Sequence, residues 1–263
     1  MSTPSVVITG AASGIGRACV RLFAERGFGV VAVDVDEAGL AALAGPGGTD
    51  AGPAASIVPL VGDVARKATG TAMVQAALER FGRLDVAVLN AGIGGTLPWA
   101  HEDAIDRLDR ILAVNVRGVA IGIRSVVPAI RSGGGGSIVV TASSAGLAAD
   151  AGNWAYNASK GAVINLVRAA ALDHAAEGIR VNAIAPGLTD TPLMARHRTD
   201  PHVVDAVGRR IPLQRWGRAE EHAAAIFFLA SPDASYVTGA TLAADGGLTA
   251  MHGAVPPPAR PEI

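Results

Sequence analysis

Tyr156 and Lys160 lie four residues apart in a helical pattern over 155–176, which puts a phenol and an ammonium one turn apart on one face. A cation so placed favours tyrosinate and is expected to lower the phenol pKa from its ordinary value near ~10, making Tyr156 a usable general acid and base. A second chemical feature stands near the start of the chain. Thr9-Gly-Ala-Ala-Ser-Gly-Ile-Gly16 follows an apolar run and leads straight into a helix. Gly10, Gly14 and Gly16 permit a tight turn and close backbone approach, and with Ser13 and Ile15 between them they offer helix-terminal N–H groups to a diphosphate. The spacing differs from G-x-G-x-x-G, so the position of the turn, opening a βαβ unit, carries the reading.

Polar residues recur where the next apolar runs end. Asp34, eighteen residues beyond Gly16, can accept both hydroxyls of an adenosine ribose and would repel a 2′-phosphate. Residues 11–13 and 35–36 contain no Arg or Lys to bind such a phosphate, so NAD(H) is expected over NADP(H). Asp36 is available to cap the following helix in its place. Asp63, followed by Val64, can accept from an adenine amino group, and Asn90-Ala91-Gly92 lets backbone lie close to a ribose.

These residues need elements to hold them. Runs at 6–9, 30–34, 57–61, 86–90, 138–141, 181–185 and 241–244 read as strands, the first five continuously apolar, as expected for strands buried on both faces. Helical patterns lie between them at 16–26, 37–44, 71–81, 105–131, 155–176 and 220–230. The alternation predicts an α/β fold: one Rossmann-type doubly wound parallel sheet of about seven strands with helices on both faces. Residues 1–249 are expected to form a single dinucleotide-binding and catalytic domain. Residues 189–211 read as an irregular substrate lid, and 250–263 as a tail whose four prolines cannot extend a sheet or helix interior.

The sequence resembles the short-chain dehydrogenase/reductase family over residues 5–249. The resemblance rests on Thr9–Gly16, Asp34, Asp63, Asn90–Gly92, Asn115 in Asn-Val-Arg-Gly, Ser143 thirteen residues before Tyr156, Tyr156 and Lys160, Pro186-Gly187, and Asp245-Gly-Gly247. It implies that Tyr156 exchanges a proton with the substrate oxygen, which Ser143 holds and polarises, with Ser144 the competing assignment. It further implies that Lys160 bonds the nicotinamide ribose and that Asn115 binds a water linking Lys160 to solvent. Pro186, Gly187, Thr189 and Thr191 would lie along the nicotinamide carboxamide and the diphosphate. Relatives often carry an aliphatic residue at the position of Thr189.

The expected function is therefore NAD(H)-dependent interconversion of a secondary alcohol and a ketone. Reduction of a 3-oxoacyl carbonyl and non-catalytic NAD(H) sensing are the rivals. Leu97, Trp99, Leu147, Trp154, Leu193 and Met194 suggest an apolar pocket for a hydrophobic or cyclic substrate, while Arg196, His197 and Arg198 could clamp a carboxylate or form a solvated lid face. The resemblance also implies a homotetramer, and the apolar load of Ile226-Phe-Phe-Leu229 exceeds what one buried stripe needs. Composition sets bounds. Fifty per cent hydrophobic residues and 17% charged ones describe a chain able to bury a core, and a net charge of −1 without like-charge blocks gives no footprint for nucleic acid. The single Cys19 excludes an internal disulfide and a Cys-based zinc site, no metal is expected, and Cys19 reads as a buried helix residue in a reducing cytoplasm. No basic leader is seen, and no apolar run is expected to cross a membrane.

Overall fold

The computed structural model describes residues 3–44 and 57–251. The Gly/Pro-rich stretch 45–53 and the tail beyond residue 251 lie outside the described residues. Seven parallel strands form one sheet: β1 (Ser5–Thr9), β2 (Gly29–Asp34), β3 (Ile57–Val61), β4 (Val86–Leu89), β5 (Gly136–Thr141), β6 (Ile179–Pro186) and β7 (Thr241–Ala244), in the order β3-β2-β1-β4-β5-β6-β7. The order reverses between β1 and β4. Thr9 pairs with Leu89 there, so Gly10 and Asn90 leave the sheet side by side at its carboxyl edge, where ligands bind in open α/β sheets.

Side-chain alternation along the strands divides the core into two layers. Val7, Val31, Ala87, Val140 and Val181 pack on one face with α3 (Lys67–Phe81), α5 (Gly118–Ser132) and α6 (Trp154–His174). Val6, Ile8, Val30, Val88 and Ile184 pack on the other with α1 (Gly14–Glu25) and α8 (Ala219–Ala230). Cys19 is fully buried in that second layer, which pushes its thiol pKa upward. The remaining helices are α2 (Glu37–Ala44), α4 (Ala104–Leu112) and α7 (Pro201–Arg210).

Four expectations from sequence are revised. β3 is not buried on both faces: it forms the sheet edge, where Pro59 removes no ladder bond the fold needs, and Val61 is exposed. The lid segment is not wholly irregular, because Asp200 accepts from the His202 N–H at 2.9 Å and Pro201 takes the first helical position, which starts α7. Of Ile226–Leu229, Ile226 and Leu229 are buried and Phe227 stacks edge-on with Phe23 and Phe28, so intramolecular packing absorbs most of that apolar load and only Phe228 is exposed. Finally, Ala104–Ser132 is one continuous helical run of 29 residues, long and apolar enough to cross a membrane, where no such run was expected. Half of its most apolar window is buried, with Val119, Ile123, Val126 and Ile130 in the core.

Candidate active site

The glycine turn is built by close contact. Gly10 has φ +66°, and a Cβ there would lie 2.9 Å from both Ala91 Cα and Asn90 Nδ2; a Cβ on Gly16 would lie 1.9 Å from the Gly10 carbonyl oxygen. Ser13, extended at the head of α1, makes no side-chain cap, so the first N–H groups of the helix carry no side-chain oxygen on them. Gly14 has φ +50°, and its Cβ position lies 3.1 Å from Thr191 Cγ2, which brings the 189–191 segment over the turn. Ile15 is half-buried against the second core layer. A turn that only glycine can close, beneath a helix N-terminus that Ser13 does not cap, fits the diphosphate of a dinucleotide.

The carboxylates take separate tasks. Asp34 Oδ2 accepts from Ala12 N at 2.9 Å and Oδ1 from Asp36 N at 3.1 Å, which locks its orientation at the edge of the turn. Capping of α2 falls to Asp36, whose Oδ1 accepts from Gly39 N at 3.0 Å. Asp63 is partly engaged, with Oδ1 accepting from Ala65 N at 2.9 Å and Oδ2 lying 3.5 Å from Arg110, while Val64 packs against Gly118. Asn90 turns out to be spent on the scaffold. Its amide donates to the Thr9 and Gly10 carbonyls at 3.2 and 3.3 Å and accepts from Thr141 Oγ1 at 3.0 Å, tying the glycine turn to β5.

Gly92 is where the second half of the site converges: a Cβ there would lie 3.3 Å from Lys160 Nζ and 3.4 Å from Asn115 Oδ1. Lys160 is buried, donates to the Thr141 carbonyl at 2.8 Å, and holds Nζ 5.6 Å from the Tyr156 ring centroid. Ser143 caps a short 3₁₀ turn, Ser144–Gly146, by accepting from Ala145 N at 3.1 Å, and its hydroxyl is near enough to the Tyr156 phenol to favour the ionised form. Ser144 is buried at that turn, and Ser143 is the serine whose hydroxyl favours ionisation of Tyr156. Asn115 lies in a single π turn, Ala113–Arg117, between α4 and α5, a local defect often found at functional sites. Its Oδ1 accepts from Ile93 N at 2.8 Å, and its Nδ2 donates to the Ile93 carbonyl at 2.9 Å and to Ser159 Oγ at 3.0 Å. Both amide donors are thus committed to the chain itself.

The expected depression of the Tyr156 pKa is not found. Burial raises it, the Ser143 hydrogen bond partly offsets that, and the nearby Asp150 charge raises it further. The reason is that burial of the phenol itself outweighs the rest; Lys160 is buried too, and desolvation lowers its own pKa from 10.5 to about 8.

On the nicotinamide side, Pro186 ends β6 and Gly187 packs tightly, its Cβ position lying 2.8 Å from Asp245 Cα. Thr189 is buried; its hydroxyl donates to the Gly187 carbonyl at 2.9 Å and lies 2.8 Å from His222 Nε2. Since Thr189 spends its proton on Gly187, Nε2 carries the imidazole hydrogen, and Nδ1 is buried without a partner among the described residues. His222, Ser159 and Thr96, which accepts from Tyr156 N at 3.2 Å, are site-supporting residues that sequence reasoning missed. The aliphatic habit at position 189 was the one available signal for His222.

Around this centre, Trp99 stacks on Trp154 with centroids 3.9 Å apart and planes 14° off parallel, and Trp154 donates to the Leu97 carbonyl. Leu147 and Leu193 are exposed and Met194 is half-buried. Arg198 pairs with Asp190 at 2.6 Å, which favours the solvated-lid reading; the side chains of Arg196 and His197 lie outside what is described.

Comparison with known proteins agrees with this architecture. Residues 10–249 match the family described as Enoyl-(Acyl carrier protein) reductase. The chain is 40% identical over 247 residues to the 2-(R)-hydroxypropyl-CoM dehydrogenase of Xanthobacter autotrophicus, covering 93% of this chain and 98% of that one. It is 43% identical over 248 residues to the cis-4-hydroxycyclohexanecarboxylate dehydrogenase of Sinomonas cyclohexanicum, covering 93% and 96%. A crystal structure of 3-ketoacyl-(acyl-carrier-protein) reductase from Brucella melitensis complexed with NADH superposes with a TM-score of 0.84 at 35% identity, covering 94% of this chain and 98% of that one. A parallel seven-stranded sheet, a glycine turn at its switch point and relatives of this identity and coverage together make the chain an oxidoreductase of the short-chain dehydrogenase/reductase family.

Proposed function

We propose that the protein interconverts a secondary alcohol and a ketone with NAD(H), using Tyr156 as the group that exchanges a proton with the substrate oxygen. The observation that carries this is Lys160 Nζ held 5.6 Å from the Tyr156 ring centroid, with the Ser143 hydroxyl near enough to favour the phenolate. Gly10, Ser13, Gly14, Ile15 and Gly16 would hold the diphosphate, and Asp34 the adenosine ribose. Asp63, Val64 and the main chain of Asn90–Gly92 would line the adenine and ribose, and Pro186, Gly187, Thr189 and Thr191 the nicotinamide side. Bound there, the nicotinamide would accept or supply the hydride. Ser143 would orient the substrate oxygen, Tyr156 would take its proton during oxidation or return it during reduction, and Lys160 would bond the nicotinamide ribose. Asn115 would act by holding Ile93 and by lining the path from Lys160 to solvent.

A hydrophobic or cyclic substrate is supported by the Trp99–Trp154 wall and by relatives named for cis-4-hydroxycyclohexanecarboxylate and 2-(R)-hydroxypropyl-CoM. Reduction of a 3-oxoacyl carbonyl is the second reading, favoured by the similarity to a 3-ketoacyl reductase complexed with NADH. We further propose a cytoplasmic homotetramer without nucleic-acid or membrane partners; the exposed Leu172, Phe228 and Leu242 on α6, α8 and β7 support the assembly. Monomeric light scattering at micromolar concentration would contradict the assembly. The activity is tested by following NADH absorbance over a panel of secondary alcohols and 3-hydroxyacyl thioesters: alcohol-dependent NADH formation supports the first reading, and turnover confined to thioesters supports the second.

A further inference from the structure

Tyr156 is the third residue of α6, so its N–H is one that the helix itself does not satisfy; the intrahelical ladder begins with Asn157 N donating to the Asn153 carbonyl at 2.9 Å. Asn153, in the cap position, makes no side-chain cap bond. The acceptor comes instead from a segment 60 residues away: the Tyr156 N–H donates to Thr96 Oγ1 at 3.2 Å, and Thr96 donates its own proton to Asn153 Oδ1 at 3.0 Å. With that proton spent on Asn153, Thr96 turns lone pairs toward Tyr156. Thr96 thus does from a distance what a Ser or Thr at the cap position does for an ordinary helix, and the residue it caps is the tyrosine.

Thr96 is itself held in place. The Asn115 amide binds both main-chain groups of Ile93, at 2.8 and 2.9 Å. Arg107 on α4 donates from Nε to the Gly95 carbonyl at 2.9 Å and from Nη2 to the Gly94 carbonyl, a fork that a lysine cannot reproduce. Gly95 has φ +83°, and a Cβ there would lie 2.7 Å from Arg107 Nη2, so the grip needs glycine. Trp154 Nε1 donates to the Leu97 carbonyl at 3.0 Å. Each residue from Ile93 to Leu97 is therefore bonded to a side chain of the 104–132 helical run or of the head of α6. The far end of Tyr156 closes the circuit: Ser159 Oγ donates to its carbonyl at 2.8 Å and accepts from Asn115 Nδ2 at 3.0 Å. These bonds leave the phenol untouched and fix the backbone from which it projects. We propose, resting on the alcohol-dehydrogenase reading above, that Thr96 is a positioning residue for proton transfer, with Arg107 as its clamp, together holding the main chain of Tyr156 at the place from which the phenol reaches the substrate oxygen. A displacement of about 1 Å at such a group can cost about 10²-fold in rate.

The test combines turnover with a readout that needs none. In Thr96→Val, which keeps the side-chain shape and removes the acceptor, kcat for alcohol oxidation should fall at least about tenfold, with KM and NADH affinity within about twofold of the parent. Thr96→Ser should restore kcat to within about twofold, and Arg107→Met should lower it at least about threefold with the same split. Added to Tyr156→Phe, Thr96→Val should cost no more than about twofold further, because its effect runs through the phenol. Amide hydrogen exchange, followed by mass spectrometry in peptides covering 153–157, should quicken at least about tenfold in Thr96→Val and return in Thr96→Ser. A Thr96→Val kcat within about twofold of the parent, equal losses in Thr96→Val and Thr96→Ser, or the same loss with and without the Tyr156 hydroxyl overturns the proposal. Should Thr96→Val lose its fold, an unaltered kcat in Arg107→Met overturns it. Absence of turnover with every alcohol would overturn the dehydrogenase reading instead. The exchange then decides the role of Thr96: local acceleration reversed in Thr96→Ser supports it, and unchanged exchange overturns it.

Discussion

Lys160 donates its ammonium to the main-chain carbonyl of Thr141 at 2.8 Å, two residues before Ser143 leaves the sheet. One buried cation thereby holds the strand end that presents the serine and lies beneath the tyrosine. That position costs stability. With its pKa lowered from 10.5 to about 8 by burial, the folded protein releases this proton before the unfolded chain does. Stability from this group therefore rises as pH increases from about 8 toward 10.5, and the penalty is fully present below 8, up to about 3 kcal/mol. Lys160→Met should be more stable than the parent at pH 7 in urea unfolding, by about 1–3 kcal/mol, while losing nearly all turnover. A variant less stable at pH 7 would show that the Thr141 bond outweighs the desolvation.

The raised pKa of Tyr156 sets the direction of the pH profile. The phenol stays protonated through neutral pH, so ketone reduction should hold level there and fall only at alkaline pH, while alcohol oxidation climbs over the same alkaline range. Ser143→Ala removes the one contribution that lowers this pKa and should move both limbs to higher pH, with kcat/KM reduced about 10²–10³-fold. Limbs that stay in place in this variant would mean that they report another group.

Asp34, fixed by the Ala12 and Asp36 N–H groups, would act in the proposed function as the specificity switch for the adenosine ribose. Asp34→Ala should reduce the NAD over NADP preference in kcat/KM by about 10–100-fold, the range of one or two hydrogen bonds to a charged group. A preference for NADP(H) in the unsubstituted protein would contradict the ribose assignment.

Thr189 and His222 form a buried polar pair. Thr189→Val leaves His222 Nε2–H without its acceptor and should cost about 1–3 kcal/mol, whereas Thr189→Val/His222→Leu should recover most of it. Burial lowers the His222 pKa, so as pH falls below its ordinary 6.5 the unfolded chain takes a proton that the folded one resists, and stability declines. The double variant should lose that part of the acid dependence in denaturant unfolding measured across pH. An unaltered acid limb would assign it to other groups.

Local chemistry made much of the site legible before any coordinates. A glycine turn directly after an apolar run and a carboxylate at the end of the next one are short-range patterns, and the sheet brings them to one edge as expected. Residues whose partners arrive from distant segments were opaque. Nothing near His222 in sequence points to Thr189, and nothing near Asn115 points to Ile93 and Ser159. Burial misled in two places. The Tyr156–Lys160 spacing was visible, but not that the phenol would be buried deeply enough to raise its pKa, and the apolar run at 226–229 could not reveal that Phe23 and Phe28 were waiting for Phe227. In the lid, the span 189–211 reads as irregular chain, although Asp200 and Pro201 within it start a helix.

The central claim is that Tyr156 transfers the proton while the glycine turn and Asp34 bind the cofactor independently of it. The most direct test compares NADH binding, by fluorescence enhancement, with alcohol-dependent NADH formation in the parent and in Tyr156→Phe. The account predicts unchanged NADH affinity and turnover reduced by at least about 10²–10³-fold in the variant. Turnover within a few-fold of the parent would contradict it.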